Sequence, residues 1–339
     1  MLDKVAVIGA GSWGTAAAGL VSNNSERVVM WARRSDAADS ISNEHRNPHH
    51  LSGCLLPSNI CATTHPEEAS REAQAIVVAV PSSYLRQTMG DFRGLIARDV
   101  PVVVLTKGIE PATHLLMTDV VSDALGGASR VAALSGPNHA EEICRRLVSA
   151  AVVASEDEEV SRLFQGLFSD SCFRVYRSLD LRGVELCAAI KNVIAIACGV
   201  CAGRGLGDNT LAVLMTRGLA EMGRFVSACG GLPMTCMGLA GMGDLVATCT
   251  SRHSRNRSFG EALANGQTLE AYESSTGMVV EGARAALSVW ELARGRGVEA
   301  PISSAVHAIL YDGLSLEEAS RALLERTPHE EFYGLNTNE

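Results

Sequence analysis

Residues 5–15 read Val-Ala-Val-Ile-Gly-Ala-Gly-Ser-Trp-Gly-Thr, a short apolar run that ends in glycines and passes into small residues. The apolar run is a buried strand, and Gly9, Gly11 and Gly14 set the G-x-G-x-x-G spacing at its exit, with a helix opening at Thr15. Gly9 permits the tight turn, Gly11 lets the backbone approach a pyrophosphate, and Gly14 lets helix and strand pack closely. Amide N–H groups at the helix start, near Ser12 and Trp13, then face the phosphates. An ordinary glycine turn lacks this strand-to-helix context, so the segment is read as a dinucleotide-binding unit. By itself it leaves nicotinamide and flavin enzymes both open.

Further β-rich runs follow at residues 28–31, 75–80, 100–105, 131–134 and 150–154. They are near-continuously apolar, as strands covered on both faces of a parallel sheet are. Helical stretches such as residues 15–22 and 67–73 lie between them, which is βαβ repetition. After about Arg182 the texture changes to stretches rich in Ala, Leu, Met and Glu, such as residues 210–226 and 280–293, separated by the glycine-rich pieces 203–208, 230–243 and 295–301, read as turns. The expected fold is α/β: an N-terminal Rossmann-like doubly wound sheet (1–182) followed by an all-α C-terminal domain (183–339). From Thr327 on the chain is polar and expected to be less ordered.

At 339 residues the chain exceeds what one core usually serves, which agrees with two domains. A net charge of −9, with arginines dispersed apart from Arg252, Arg255 and Arg257, argues against a general nucleic-acid binder and suits a small anion. Apolar runs such as residues 184–200 are interrupted by Glu185, Lys191 and Asn192, so no membrane span is expected. Ten scattered cysteines without a secretory signal point to reduced thiols and a cytoplasmic protein. Cys198 and Cys201 form a C-x-x-C, but no second pair follows at zinc-site spacing. They are read as packing residues of a helix, and no metal is expected.

NAD specificity usually shows as an acid at the end of the second strand. Here that strand ends Trp31-Ala32-Arg33-Arg34, and two guanidinium groups favour the 2′-phosphate of NADP(H), with NAD(H) still possible. Lys107 directly follows a buried strand, at the sheet edge where ligands of open α/β folds bind. The turn Ser135-Gly136-Pro137-Asn138-His139-Ala140 follows another strand at the same edge. Lys191-Asn192 interrupts an apolar helix, where burial disfavours the ammonium form and suits a proton donor for a carbonyl oxygen. A lysine whose stem packs while its head reaches water remains an equal reading. Residues 238–257 combine Asp244 and Thr248 with Ser254, Arg255 and Asn256, a polar knot able to fix a lysine and grip a phosphate.

These strings, in order, resemble the bacterial NAD(P)-dependent glycerol-3-phosphate dehydrogenases: residues 9–16, 31–34, 105–110, 135–142, 183–197, 205–210, 216–222, 238–260 and 279–282 all match the family's pattern, covering about Val5 to Pro301. The resemblance implies reversible reduction of dihydroxyacetone phosphate to sn-glycerol 3-phosphate for phospholipid synthesis, in a homodimer. It makes Lys191 the acid/base residue, supported by Asp244, and has Lys107 touch both substrate and cofactor. Gly136, Asn138, Asn192 and Thr248 would line the substrate, and Ser254, Arg255 and Asn256 its phosphate end. Ser12, Trp13, Arg33, Ala140, Arg255, Val279 and Glu281 would meet the cofactor, beside Gly9, Gly11, Gly14 and Arg34. The chain departs from the family over residues 49–57, which leaves the cofactor contacts of that loop open. The other readings are a Rossmann-plus-helical dehydrogenase of 3-hydroxyacid or UDP-sugar type, for which Cys249 is the thiol nearest Asp244, and a non-catalytic NADPH-binding regulator.

Overall fold

The computed structural model describes residues 1–331 and 333–335. They form two compact units: residues 1–107 with 116–181, and residues 108–115 with those from 182 onward.

The first unit is built on an eight-stranded sheet: β1 (Leu2–Ile8), β2 (Ser25–Trp31), β3 (Ile60–Thr63), β4 (Ala75–Val78), β5 (Val102–Val104), β6 (Val131–Ser135), β7 (Ser149–Ala154) and β8 (Phe173–Ser178). Its order is β3-β2-β1-β4-β5-β6-β7-β8, and the strands from β3 to β6 are all parallel. The first six strands thus form the doubly wound arrangement. Val5, Val7, Val28, Met30, Val77 and Val103 are fully buried, as strands covered on both faces require.

In the sheet, two points differ from the sequence reading. β7 runs antiparallel to β6, and β8 is parallel to β7. The connection between β6 and β7 carries only the five-residue helix Ala140–Cys144, too short to return the chain to the other end of the sheet, as a parallel crossover must. The strands β3 and β8, absent from the sequence reading, form the two edges of the sheet. Their residues are partly exposed, and β8 alternates buried and exposed positions at its start, so neither has the continuous apolar run that marked the others.

The second unit is helical, and its central element is the 23-residue helix Leu181–Gly203. Among the described residues this one helix is long and apolar enough, by length and composition, to cross a membrane. Glu185, Lys191 and Asn192 lie within it, and most of the helix is buried: Ile190, Val193, Ile194 and Ala195 are fully enclosed. It crosses the helix Arg255–Ala264 at glycines on both sides. A Cβ on Gly199 would lie 2.1 Å from the Arg257 carbonyl oxygen, and one on Gly260 would lie 2.2 Å from that of Ile196. The segment 230–243, expected as a simple turn, holds a tight helical turn at Pro233–Met237 and a wide one at Leu239–Gly243. The wide turn delivers the chain to the helix Asp244–Thr250.

Near the C-terminus, Tyr333 packs its ring 4.6 Å from the Arg224 guanidinium, which gives that part of the tail more structure than its polar composition predicts. Phe332 and residues 336–339 lie outside the described residues.

Candidate active site

In the first unit, Gly9 adopts φ +113°, and a Cβ there would lie 2.5 Å from the Ala79 carbonyl oxygen. A Cβ on Gly14 would lie 2.0 Å from the Gly9 oxygen, whereas one on Gly11 would meet nothing within 4 Å. The outer glycines are therefore fixed by packing, and the middle one leaves an open backbone surface at the start of the helix Ser12–Val21. That combination fits a pyrophosphate: close packing on one side and an approachable helix N-terminus on the other.

Asn47, which sequence reasoning did not single out, organises this turn. It is fully buried; its Nδ2 donates to the Ala10 carbonyl oxygen and to Thr15 Oγ1, both at 2.8 Å, and its Oδ1 accepts from His49 N and His50 N at 3.1 and 3.2 Å. The atypical loop that follows is thereby tied to the glycine turn, and His50 Nδ1 comes within 3.5 Å of Ser12 Oγ. The available signal was the Asn-Pro pair, which favours turn initiation.

Past the end of β2, Arg33 lies with its guanidinium 5.9 Å from the Tyr84 ring centre, and Arg34 is ion-paired with Asp36. At the carboxyl edge of the sheet, Lys107 Nζ donates to the Gly136 carbonyl oxygen at 3.3 Å. Gly136 adopts φ +150°, and a Cβ there would lie 2.9 Å from the Ala150 oxygen. Asn138 Nδ2 donates to that same oxygen at 3.1 Å, while its buried Oδ1 has no protein partner. Lys107, Gly136 and Asn138 are thus gathered at one place, with an unmatched acceptor among them. Ala140 is the buried first residue of its short helix.

In the second unit, Lys191 is 6% exposed, Asp244 3% and Thr248 4%. Lys191 Nζ donates to Asp244 Oδ1 at 2.8 Å and to Thr248 Oγ1 at 2.7 Å, and Thr248 Oγ1 donates in turn to Asp244 Oδ1 at 3.1 Å. Asp244 and Thr248 stand one turn apart on one helix and meet the lysine from the same side. The head of Lys191 is therefore held inside the unit, which excludes the water-reaching reading. Burial penalises the ammonium, and the carboxylate at hydrogen-bond distance offsets that cost. The arrangement fixes the direction of a proton donor and links it to a hydroxyl and a carboxylate.

Around this triad the polar residues divide into two groups. Asn192 and Asn256 bond each other, Nδ2 of Asn256 donating to Oδ1 of Asn192 at 2.8 Å, and Asn256 Oδ1 accepts from Gly282 N at 2.9 Å. These amides join three helices. Ser254 caps the helix Arg255–Ala264 by accepting from Arg257 N at 3.3 Å, and Arg257 pairs with Glu261 at 2.8 Å. Arg255, the first residue of that helix, is exposed, where a cation and helix amides suit an anion. Val279 is half-buried just before Glu281, which opens the helix Glu281–Arg296.

Cys198 is buried, and a hydrogen bond with Cys249 followed by desolvation raises its thiol far above the usual range, while burial pushes Cys201 up to about 11. Such thiols are poor nucleophiles at neutral pH. Among the described residues no three His, Cys, Asp or Glu side chains are grouped to hold a metal ion.

Residues 4–161 match the family model described as NAD-dependent glycerol-3-phosphate dehydrogenase N-terminus, and residues 180–321 match the one described as its C-terminus. The chain belongs to the NAD-dependent glycerol-3-phosphate dehydrogenase family. It is 42% identical over 331 residues to a Chlorobium limicola protein named glycerol-3-phosphate dehydrogenase [NAD(P)+], covering 97% of this chain and 99% of that one. A Thermobifida fusca protein of the same name is 44% identical over 336 residues, with 98% and 100% covered. The crystal structure of glycerol-3-phosphate dehydrogenase from Coxiella burnetii superposes with a TM-score of 0.90 at 36% identity, covering 96% of this chain and 99% of that one. The resemblance read from the sequence is borne out over both units, and with it the assignment as an oxidoreductase using NAD(H) or NADP(H).

Proposed function

We propose that the chain carries out the family's reaction, the reversible reduction of dihydroxyacetone phosphate to sn-glycerol 3-phosphate, with Lys191 as the acid/base residue. The observation that carries this reading is the buried lysine held by Asp244 and Thr248. Bound at the glycine turn, NAD(P)H supplies the hydride. Lys191 donates a proton to the substrate oxygen on which negative charge develops, and in the reverse direction accepts it. Asp244 and Thr248 hold the ammonium in place and stabilise it between turnovers.

Lys107 contributes positive charge and touches both substrate and cofactor, and Gly136 and Asn138 line the substrate, where the unmatched Asn138 Oδ1 can accept from a hydroxyl. Ser254 and Arg255 grip the phosphate end, with Asn256 and Asn192 fixing the helices that carry them and Thr248 bordering the same site. Gly9, Gly11, Ser12, Trp13, Gly14, Arg33, Arg34, Lys107, Ala140, Arg255, Val279 and Glu281 form the cofactor side, which takes NADP(H) or NAD(H). The working form is a cytoplasmic homodimer feeding glycerophospholipid synthesis.

The test is Lys191→Ala, assayed by NADPH oxidation with dihydroxyacetone phosphate. The expected result is a fall in kcat of about two orders of magnitude or more, with NADPH affinity nearly intact. Unchanged turnover would remove Lys191 from the chemistry.

A further inference from the structure

β2 ends at Trp31, and the chain passes Ala32, Arg33 and Arg34 before the helix Ser35–Glu44 begins. In a dinucleotide fold this point reads the adenosine ribose: a carboxylate bonds the hydroxyls of NAD, and a guanidinium accepts the 2′-phosphate of NADP. This chain has both groups there, and they hold each other. Arg34 donates from Nε to Asp36 Oδ1 and from Nη2 to Oδ2, each at 3.0 Å, so one edge of the guanidinium is taken up by two parallel bonds. His49 Nε2 lies 2.7 Å from Asp36 Oδ2, which brings in the loop that Asn47 ties to the glycine turn. The hydrogen bonds from Arg34 and then His49 hold the Asp36 carboxyl well below the usual carboxylate range, so its charge persists throughout neutral pH. Arg33 stands outside this group, near Tyr84.

We infer that Asp36 is a coenzyme-discriminating residue: it occupies the fork of Arg34 and sets a negative charge at the ribose edge, weakening capture of a 2′-phosphate and keeping the site open to both coenzymes. A 2′-phosphate needs the guanidinium edge that Asp36 fills and is repelled by the carboxylate that fills it. The ribose hydroxyls of NAD are neutral donors and meet no such penalty. The inference rests on the reading that this unit holds the coenzyme at the glycine turn.

Calorimetric titration of the full-length protein with 2′-phospho-ADP-ribose and with ADP-ribose measures this discrimination without catalysis. In Asp36→Asn and Asp36→Ala the ratio of the two dissociation constants is expected to move about three- to fivefold towards the phosphorylated ligand at low ionic strength, the scale of one exposed charge pair. The gain should shrink as salt is added, and Arg34→Ala in the Asp36→Ala background should abolish it. The asparagine variant preserves side-chain shape and so controls for local unfolding. An unchanged ratio in both variants, or a shift towards ADP-ribose, overturns the role of Asp36 alone. A wild-type protein that binds neither ligand overturns the coenzyme reading beneath it as well.

Discussion

A buried ammonium is tolerated only when its hydrogens find acceptors and its charge a partner, and Lys191 meets both conditions through Asp244 and Thr248. Thr248→Val preserves shape but removes the hydroxyl, leaving Nζ one acceptor short at a cost of about 1–3 kcal/mol. The expected kinetic result is a kcat reduced about tenfold with little change in the KM for dihydroxyacetone phosphate, because the loss falls on proton delivery rather than substrate binding. Steady-state assays measure this, and an unaltered kcat would separate Thr248 from the proton path. Lys191 was legible in the sequence because a charge in an apolar helix is conspicuous. Its partners lie 53 and 57 positions away, a pairing that helix packing creates and local spacing does not encode. For the same reason Asn192 and Asn256 were visible as polar residues near the site while their mutual bond was not. Asp36 also went unremarked, since the adjacent arginines dominated the local charge pattern.

Secondary elements were legible where burial was continuous and obscure where it was not. The central strands announced themselves as runs of Val, Ile and Ala, whereas the edge strands β3 and β8 face solvent in part and so dilute the pattern. The direction of β7 depended on the length of the helix before it, which apolar content does not reveal. The loop after Asn47 departs from the family in composition, yet that one side chain accepts from two of its amides and donates to Ala10 O and Thr15 Oγ1 beside the glycine turn. Asn47→Ala leaves the amides of His49 and His50 without their acceptor and frees the glycine turn from the loop. The expected outcome is a loss of about 1–3 kcal/mol in stability, together with weaker NADPH binding, because a turn that must be ordered on binding binds less tightly. Urea unfolding and fluorescence titration with NADPH measure the two effects. A stable variant with full coenzyme affinity would show that the loop and the turn are independent.

Across the whole molecule, the sequence changes from β-branched to helical texture near Arg182, but the chain's path leaves no such mark. Residues 108–115 join the second unit, where Ser288 Oγ donates to the Ile109 carbonyl oxygen at 3.2 Å and His114 Nε2 meets Glu291 Oε2 at 2.8 Å; so short an excursion carries no compositional signature. The pH dependence of stability is likewise a property of the entire chain. The carboxyls of Asp36, Glu158 and Glu318 are depressed by hydrogen bonds to Arg34, Arg162 and Ser315 respectively. Each contributes stability above its unfolded pKa that is lost as pH falls, but all three are solvent-exposed and screened, so their acid limb is shallow. Glu221 is the opposite case. It is fully buried, accepting from Ile302 N at 2.8 Å and from Ser303 N at 3.0 Å, and burial raises its carboxyl above the ordinary 4.5 despite these bonds. A raised folded pKa gives a contribution that is complete below the unfolded value and declines as pH rises through the folded one. Glu221→Gln, neutral at every pH, removes that proton linkage. The difference in unfolding free energy between wild type and variant should therefore decline from about pH 5 upwards and level off above the folded pKa of Glu221, as guanidinium unfolding at several pH values would show. A difference that stays constant across this range would mean that Glu221 titrates alike in the folded and unfolded chain, with the amides at the start of the helix Pro301–Tyr311 fully compensating its burial.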